Sequence, residues 1–118
     1  MEKVREIIFY KNYFDEFYSQ QSDKVKTKIV KILDIIEQFE YIPSLYLKYL
    51  SGTNGLYEIR VQVGSNIFRI FCFFEGNKLV VLLSGFQKKT TKTPKRELDR
   101  AVRLMKEYFL EKNNYGRN

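Results

Sequence analysis

Between Lys88 and Arg100 the chain places six cations in thirteen residues: Lys88, Lys89, Lys92, Lys95, Arg96 and Arg100. Only Glu97 and Asp99 oppose them. The segment "GFQKKTTKTPKRELDR" leaves an apolar run, "LVVLLS", and leads into a helix. Lysines in a loop just before a helix sit at the positive end of its dipole, so they repel one another unless an anion joins them. Two arginines, Arg60 and Arg69, stand on either side of "GSN" (64–66) in strand-like runs. A hairpin turn there brings them opposite each other, and like charges directly opposite are destabilising. Arg69 is moreover a cation in the otherwise apolar run "IFRIFCFF", where an unpaired charge is costly to bury. Two readings stay open. Glu58 can neutralise one arginine in a structural bridge, or both arginines rim one anion site with the lysines. For Lys95 to Lys106 the plain alternative is a solvated helix face.

What chemistry such residues can do is narrowed by what is missing. The sequence has no histidine and one cysteine. Nitrogen- and sulfur-ligated metal sites are thereby excluded in practice, as is catalysis by Ser-His-Asp or Cys-His groups. No metal or other cofactor is expected. Acid–base work falls to Lys, Arg, Tyr, Asp or Glu. No glycine-rich nucleotide loop occurs. Cys72, inside "FRIFCFF", reads as a buried structural thiol. A net charge of +7 favours phosphate backbones or acidic proteins as partners. With no signal-peptide core, no bilayer-length apolar run and no disulfide framework, a cytoplasmic location and no membrane partner are expected.

The elements that must position these residues follow from hydrophobic period. Val4–Tyr10 is β-prone. Tyr13, Phe14, Phe17 and Tyr18 recur at helical spacing, and so do Val25, Ile29, Ile32, Leu33, Ile36 and Phe39. Ser22 or Asp23 caps the second helix and Pro43 bars its continuation. Residues 41–55 read as a long connection. Residues 56–63 alternate, with Tyr57, Ile59, Val61 and Val63 on one face and Glu58, Arg60 and Gln62 on the other. Two further apolar strands follow. Thr93 is the expected cap, and Pro94 the first residue, of a last helix carrying Leu98, Ala101, Val102, Met105 and Phe109. The expectation is an α+β domain over 1–112 in the order strand, helix, helix, three strands, helix. Its sheet is mainly antiparallel and four-stranded, with the helical hairpin on one face; residues 113–118 form a fraying tail.

The run from Gly55 to Ala101, with "LYEIR", "FRIF" and "LLSGFQKKTTKTP" in order, resembles the RelE/ParE toxin superfamily in its phage-derived HigB-like branch. The resemblance implies a RelE-like fold and a toxin of a two-gene toxin–antitoxin module. Its partners would be a cognate antitoxin, often with a helix-turn-helix domain, together with the ribosome and mRNA. It also implies site residues. Arg60 matches a basic position of the family's second strand, with Glu58 where another cation can stand. Arg69 matches the arginine of the third strand, and Lys88 or Lys89 the basic residue after the last strand. Some relatives add a histidine; this chain has none, so a histidine base is ruled out.

RNA brings its own nucleophile, the 2′-OH, so cleavage needs no metal. It needs in-line positioning, a base, cations at the phosphate and an acid for the leaving oxygen. Arg60 and Arg69 supply charge. Lys88 or Lys89, lowered in pKa by crowding, is a base or acid, and Glu58 is a rival base. Tyr57 and Phe86 are candidates to stack on nucleobases, Tyr57 having core packing as its alternative, and Lys92, Lys95 and Arg96 are candidates to hold the RNA backbone. The expected activity is ribosome-dependent mRNA cleavage. Its rivals are a non-enzymatic gyrase poison on the same fold and a basic nucleic-acid-binding module without activity.

Overall fold

The computed structural model describes residues 2–115. Strand β1 (Glu6–Phe9) precedes helices α1 (Tyr13–Ser19) and α2 (Asp23–Gln38). Then come β2 (Leu47–Tyr49), β3 (Leu56–Val63), β4 (Asn66–Glu75), β5 (Leu79–Lys88) and helix α3 (Lys95–Tyr115). The element order is the expected one with a strand added. The sheet has five strands, in the order β1-β5-β4-β3-β2, and not four. The extra edge strand β2 lies within the segment read as a loop. Its three residues pair with Tyr57–Ile59 of β3, and a run that short carries no readable period. β1 runs parallel to β5 while the other pairings are antiparallel. Helix α3 continues through Tyr115, so residues 113–115 of the expected tail are helical and 116–118 lie outside the described residues.

The two sheet faces are both covered, by different helices. α1 and α2 pack on one, where Ile29, Ile32 and Ile36 meet Ile59, Val61, Ile70 and Leu82. Ser22 caps α2 by accepting the Val25 N–H, as its place in the sequence suggests. At the other end Arg5 donates to the carbonyls of Ile36, Phe39 and Glu40, which satisfies acceptors that a helix terminus leaves free. α3 covers the opposite face, where Ala101, Leu104 and Met105 pack on Leu56, Phe71, Phe73, Val81 and Leu83. Its second half is clamped from the side. The Tyr10 hydroxyl donates to Glu107 at 2.8 Å and Lys11 bridges Glu107 and Glu111. Burial together with Glu107 pushes the Tyr10 phenol up to about 12.

Two local features set the register near the cations. Gly64, at φ +61, takes the first position of the two-residue turn between β3 and β4, a conformation that side-chain-bearing residues resist. In β5 one extra residue is accommodated opposite Phe71, where the partner of Ile70 is Gly85 but that of Cys72 is Leu82. Such a bulge reverses the in–out alternation beyond it. Val81 and Leu83 face α3 before it, and Phe86 faces α3 after it.

Candidate functional site

The bulge decides which lysine joins the arginines. Unbroken alternation from Leu83 would turn Gln87 and Lys89 towards the α3 face. With the extra residue, Phe86 and Lys88 take that face instead. Lys88 pairs in register with Ile67, and Phe86 with Arg69. On β3 the even positions share this face, so that Arg60 stands directly opposite Arg69 and Glu58 opposite Phe71. The hairpin inferred from the sequence is therefore present with the inferred pairing. α3 covers the Phe71 and Leu83 end of the face and leaves Arg60, Arg69 and Lys88 half-buried at its margin.

Glu58 is the buried carboxylate of this patch, 3% exposed. Its Oε1 stands 2.8 Å from Nε of Arg69, a diagonal neighbour across the two strands. The Nε–H is misaligned for a hydrogen bond and finds no other partner, so the contact is an ion pair with imperfect geometry. Glu58 Oε2 accepts from the Thr93 hydroxyl at 3.1 Å. Thr93 was expected to cap α3 with Pro94 as its first residue; instead the Thr93 hydroxyl is committed to Glu58, the helix begins at Lys95, and the Pro94 carbonyl accepts from the N–H groups of Glu97 and Leu98. The connection 89–94 is thereby tied to the sheet.

Among the described residues, Arg60 and Lys88 form no ion pair. Desolvation lowers the Lys88 ammonium below the ordinary lysine range; the nearby charges of Arg69, Lys48 and Arg60 push the same way, against Glu58. Arg69 is likewise lowered, first by burial and then by Arg60, with Glu58 opposing. The patch thus holds more positive charge than its carboxylate neutralises, and an anionic oxygen would relieve it.

The other expected site residues are spread more widely. Phe86 is half-buried on the same face, its ring stacked on Phe71 at 5.6 Å. Tyr57 faces the other way, against Tyr49 and Phe74, which is its core-packing alternative and puts it across the sheet from Arg60. Lys92 is exposed in the connection before α3, and Lys95 and Arg96 are exposed on its first turn. Lys89 lies outside the arginine patch and lines a groove on the flank of β5 with Arg96 and Arg100. Two contributors escaped the sequence reading. Lys48 comes opposite Glu58 through the unforeseen strand β2. Its signal was the alternation of Leu47 and Tyr49 around it, too short to stand alone. The Thr93 hydroxyl had been assigned to the helix.

Among the described residues no cluster of histidine, cysteine or carboxylate groups able to hold a metal ion is present, and no helix is long and apolar enough to cross a membrane. Cys72 is fully buried, and burial pushes its thiol up.

Comparison with known proteins bears on this arrangement. No curated protein matches the sequence. Among solved structures, the fold is similar to a chain of the RelB-RelE antitoxin-toxin complex from Methanococcus jannaschii. The identity is 16% and the TM-score 0.53, and the match covers 74% of this chain and 99% of that one. At that identity the likeness establishes the fold, which is RelE-like. A family model described as "Phage derived protein Gp49-like (DUF891)" matches residues 16–106, from α1 to the middle of α3 and through every strand of the cationic patch. The chain therefore belongs to the Gp49-like family of phage-derived proteins.

Proposed function

We propose that this chain is the toxin of a toxin–antitoxin pair and acts as an endoribonuclease that cuts mRNA on the ribosome. The supporting observation is the convergence of Arg60, Arg69 and Lys88 on one open margin of the sheet, with a single buried carboxylate among them. The structural neighbour comes from an antitoxin–toxin complex, which favours a protein antitoxin as partner. The surplus of positive charge favours an acidic segment as the part of it that docks.

The roles divide by environment. Arg60 carries no ion pair among the described residues and is the group to hold the scissile phosphate, whose charge grows as the 2′-oxygen attacks. Arg69 is fixed by Glu58, which Thr93 fixes in turn; it positions the patch and adds charge from behind. Glu58 is buried and already engaged, which argues against it as the base. Lys88, lowered by desolvation and by cations, is the group to accept the 2′-OH proton in its neutral form. Attack then forms the 2′,3′-cyclic phosphate, the P–O5′ bond breaks, and the departing 5′-oxygen takes a proton, for which Lys48 is the nearby ammonium. Free RNA seldom takes up the in-line geometry, so turnover on it is slow. A ribosome that bends the message into the in-line geometry supplies the missing factor.

The test is a reconstituted translation system with primer extension on the message. Cuts that appear only when ribosomes engage the message, and vanish with Arg60→Ala, are the expected result. Intact message together with inhibited DNA supercoiling by gyrase would replace this reading with that of a gyrase poison.

A further inference from the structure

Beyond the arginine patch, the flank of β5 forms a second cationic feature. β1 pairs with β5 only as far as Leu82, so Leu83–Lys88 is a free strand edge on that side. α1 walls this edge on one side and the first turns of α3 on the other, enclosing a groove of about 520 Å³. Phe17 sits so close over the edge that a Cβ at Gly85 would fall 2.5 Å from its ring, so the glycine is what lets α1 approach. Lys89, Arg96 and Arg100 line the groove, together with the amide side chains of Gln20 and Gln87. None of the three cations forms an ion pair among the described residues. The Arg100 guanidinium lies over the Tyr13 ring at 4.9 Å. Glu16 is the one carboxylate in the lining, and the Asn12 amide donates to it.

We infer that this groove binds the single-stranded RNA flanking the cut, as a second site continuous with the first. The inference rests on the ribonuclease reading above. Continuity comes from β5 itself: Phe86 lines the groove and also stacks on the arginine-patch face, and Lys88 and Lys89 are consecutive residues on the two sides. A strand leaving Lys88 meets Lys89 next, then Arg96 and Arg100. These two lie one helical turn apart, about 6 Å along the axis, the scale of one nucleotide step. Amides at the wall offer donors and acceptors to base edges, and the Tyr13–Arg100 pair offers a stacking surface. An extended peptide added to the free edge would need apolar pockets for alternate side chains. The lining beside this edge is mainly amide and cationic, which favours nucleic acid.

The experiment uses the full chain and its Arg96→Gln/Arg100→Gln variant, with a labelled 2′-O-methyl RNA decamer that cannot be cut. Binding is followed by fluorescence anisotropy over a range of salt. The variant is expected to bind at least about ten-fold more weakly near 0.1 M salt. Its log–log salt slope should shrink by about 1.4, because each single-strand phosphate contact contributes about 0.7. Wild-type affinity in the variant overturns the inference, as does a loss confined to ribosome co-sedimentation, which would assign the groove to ribosomal RNA. A polyglutamate peptide that outcompetes the decamer overturns it as well, in favour of a protein ligand. Failure of the ribonuclease reading shows up separately, as intact message in the reconstituted translation system with the wild-type chain. If the double variant does not fold, Gln87→Glu, on the exposed wall, is expected to weaken decamer binding, and unchanged affinity there refutes the inference equally.

Discussion

Replacing Arg69 by alanine separates the structural part of the site from the chemical part. In the native chain the Glu58 carboxylate, 3% exposed, faces Arg69 at 2.8 Å and Thr93 at 3.1 Å. The substitution leaves it with the hydroxyl alone. Breaking a buried pair by removing one partner costs about 3–5 kcal/mol. Two features of this pair lower the figure. The Arg69 Nε–H is misaligned, and Arg60 directly opposite is relieved of a like charge, a gain of up to about 1 kcal/mol. The net expectation is a loss of about 2–4 kcal/mol. For a domain of this size, at roughly 3–6 °C per kcal/mol, the melting temperature should fall by about 6–24 °C. Adding Glu58→Gln removes the stranded charge, and the double variant should regain most of the loss. Thermal unfolding of the purified proteins followed by circular dichroism reads both numbers. If Arg69→Ala melts within about 2 °C of wild type, Arg69 is no structural partner of Glu58 and must be counted with the groups that act on the phosphate. A double variant no more stable than the single one would refute the stranded-charge reasoning.

Arg60→Ala should do the opposite, cutting message cleavage by about 10²–10³-fold while leaving the melting temperature unchanged or slightly raised, since it removes an unpaired cation facing Arg69. Cleavage by the wild type should rise with pH and level off below the ordinary lysine pKa of about 10.4, because Lys88 acts deprotonated and its ammonium is lowered; a rate that is flat or falls with pH would exclude it as the base. By the same linkage Lys88→Met should be more stable than wild type near neutral pH. The folded state disfavours the ammonium there, and the advantage should fade in urea titrations as pH rises past the lowered value towards the unfolded one. Gly85→Ala should cost about 1–3 kcal/mol, because its Cβ would sit 2.5 Å from Phe17; a neutral result in denaturant unfolding would show that α1 moves aside freely.

Long periodic segments were the most legible part of the fold. The stripe of α2, the two-sided apolar runs of β4 and β5, and the alternation of β3 gave the elements, and the short turn at Gly64 gave the pairing of Arg60 with Arg69. β2 was hidden because three residues hold no period, and Lys48 went unseen with it. The choice between Lys88 and Lys89 was invisible for a different reason. It depends on one bulged residue in β5, which flips alternation without leaving a mark in a run that is apolar on both faces. Thr93 carried a correct local signal that a long-range partner overrode: the buried Glu58 carboxylate needs a donor, and an exposed helix end can use water. Tyr57 was legible as facing with Ile59 and Val61, and that parity already set it on the face away from Glu58 and Arg60.

The proposed chemistry depends on one atom of the substrate, the 2′-oxygen at the cut. The most direct measurement is primer extension on two messages in the same reconstituted translation mixture, identical except that one carries a 2′-deoxyribose at the mapped cut site. The expected result is cleavage of the all-ribose message and an intact deoxy message at that position. Equal cleavage of both would contradict attack by the 2′-OH, and with it the roles given to Arg60 and Lys88.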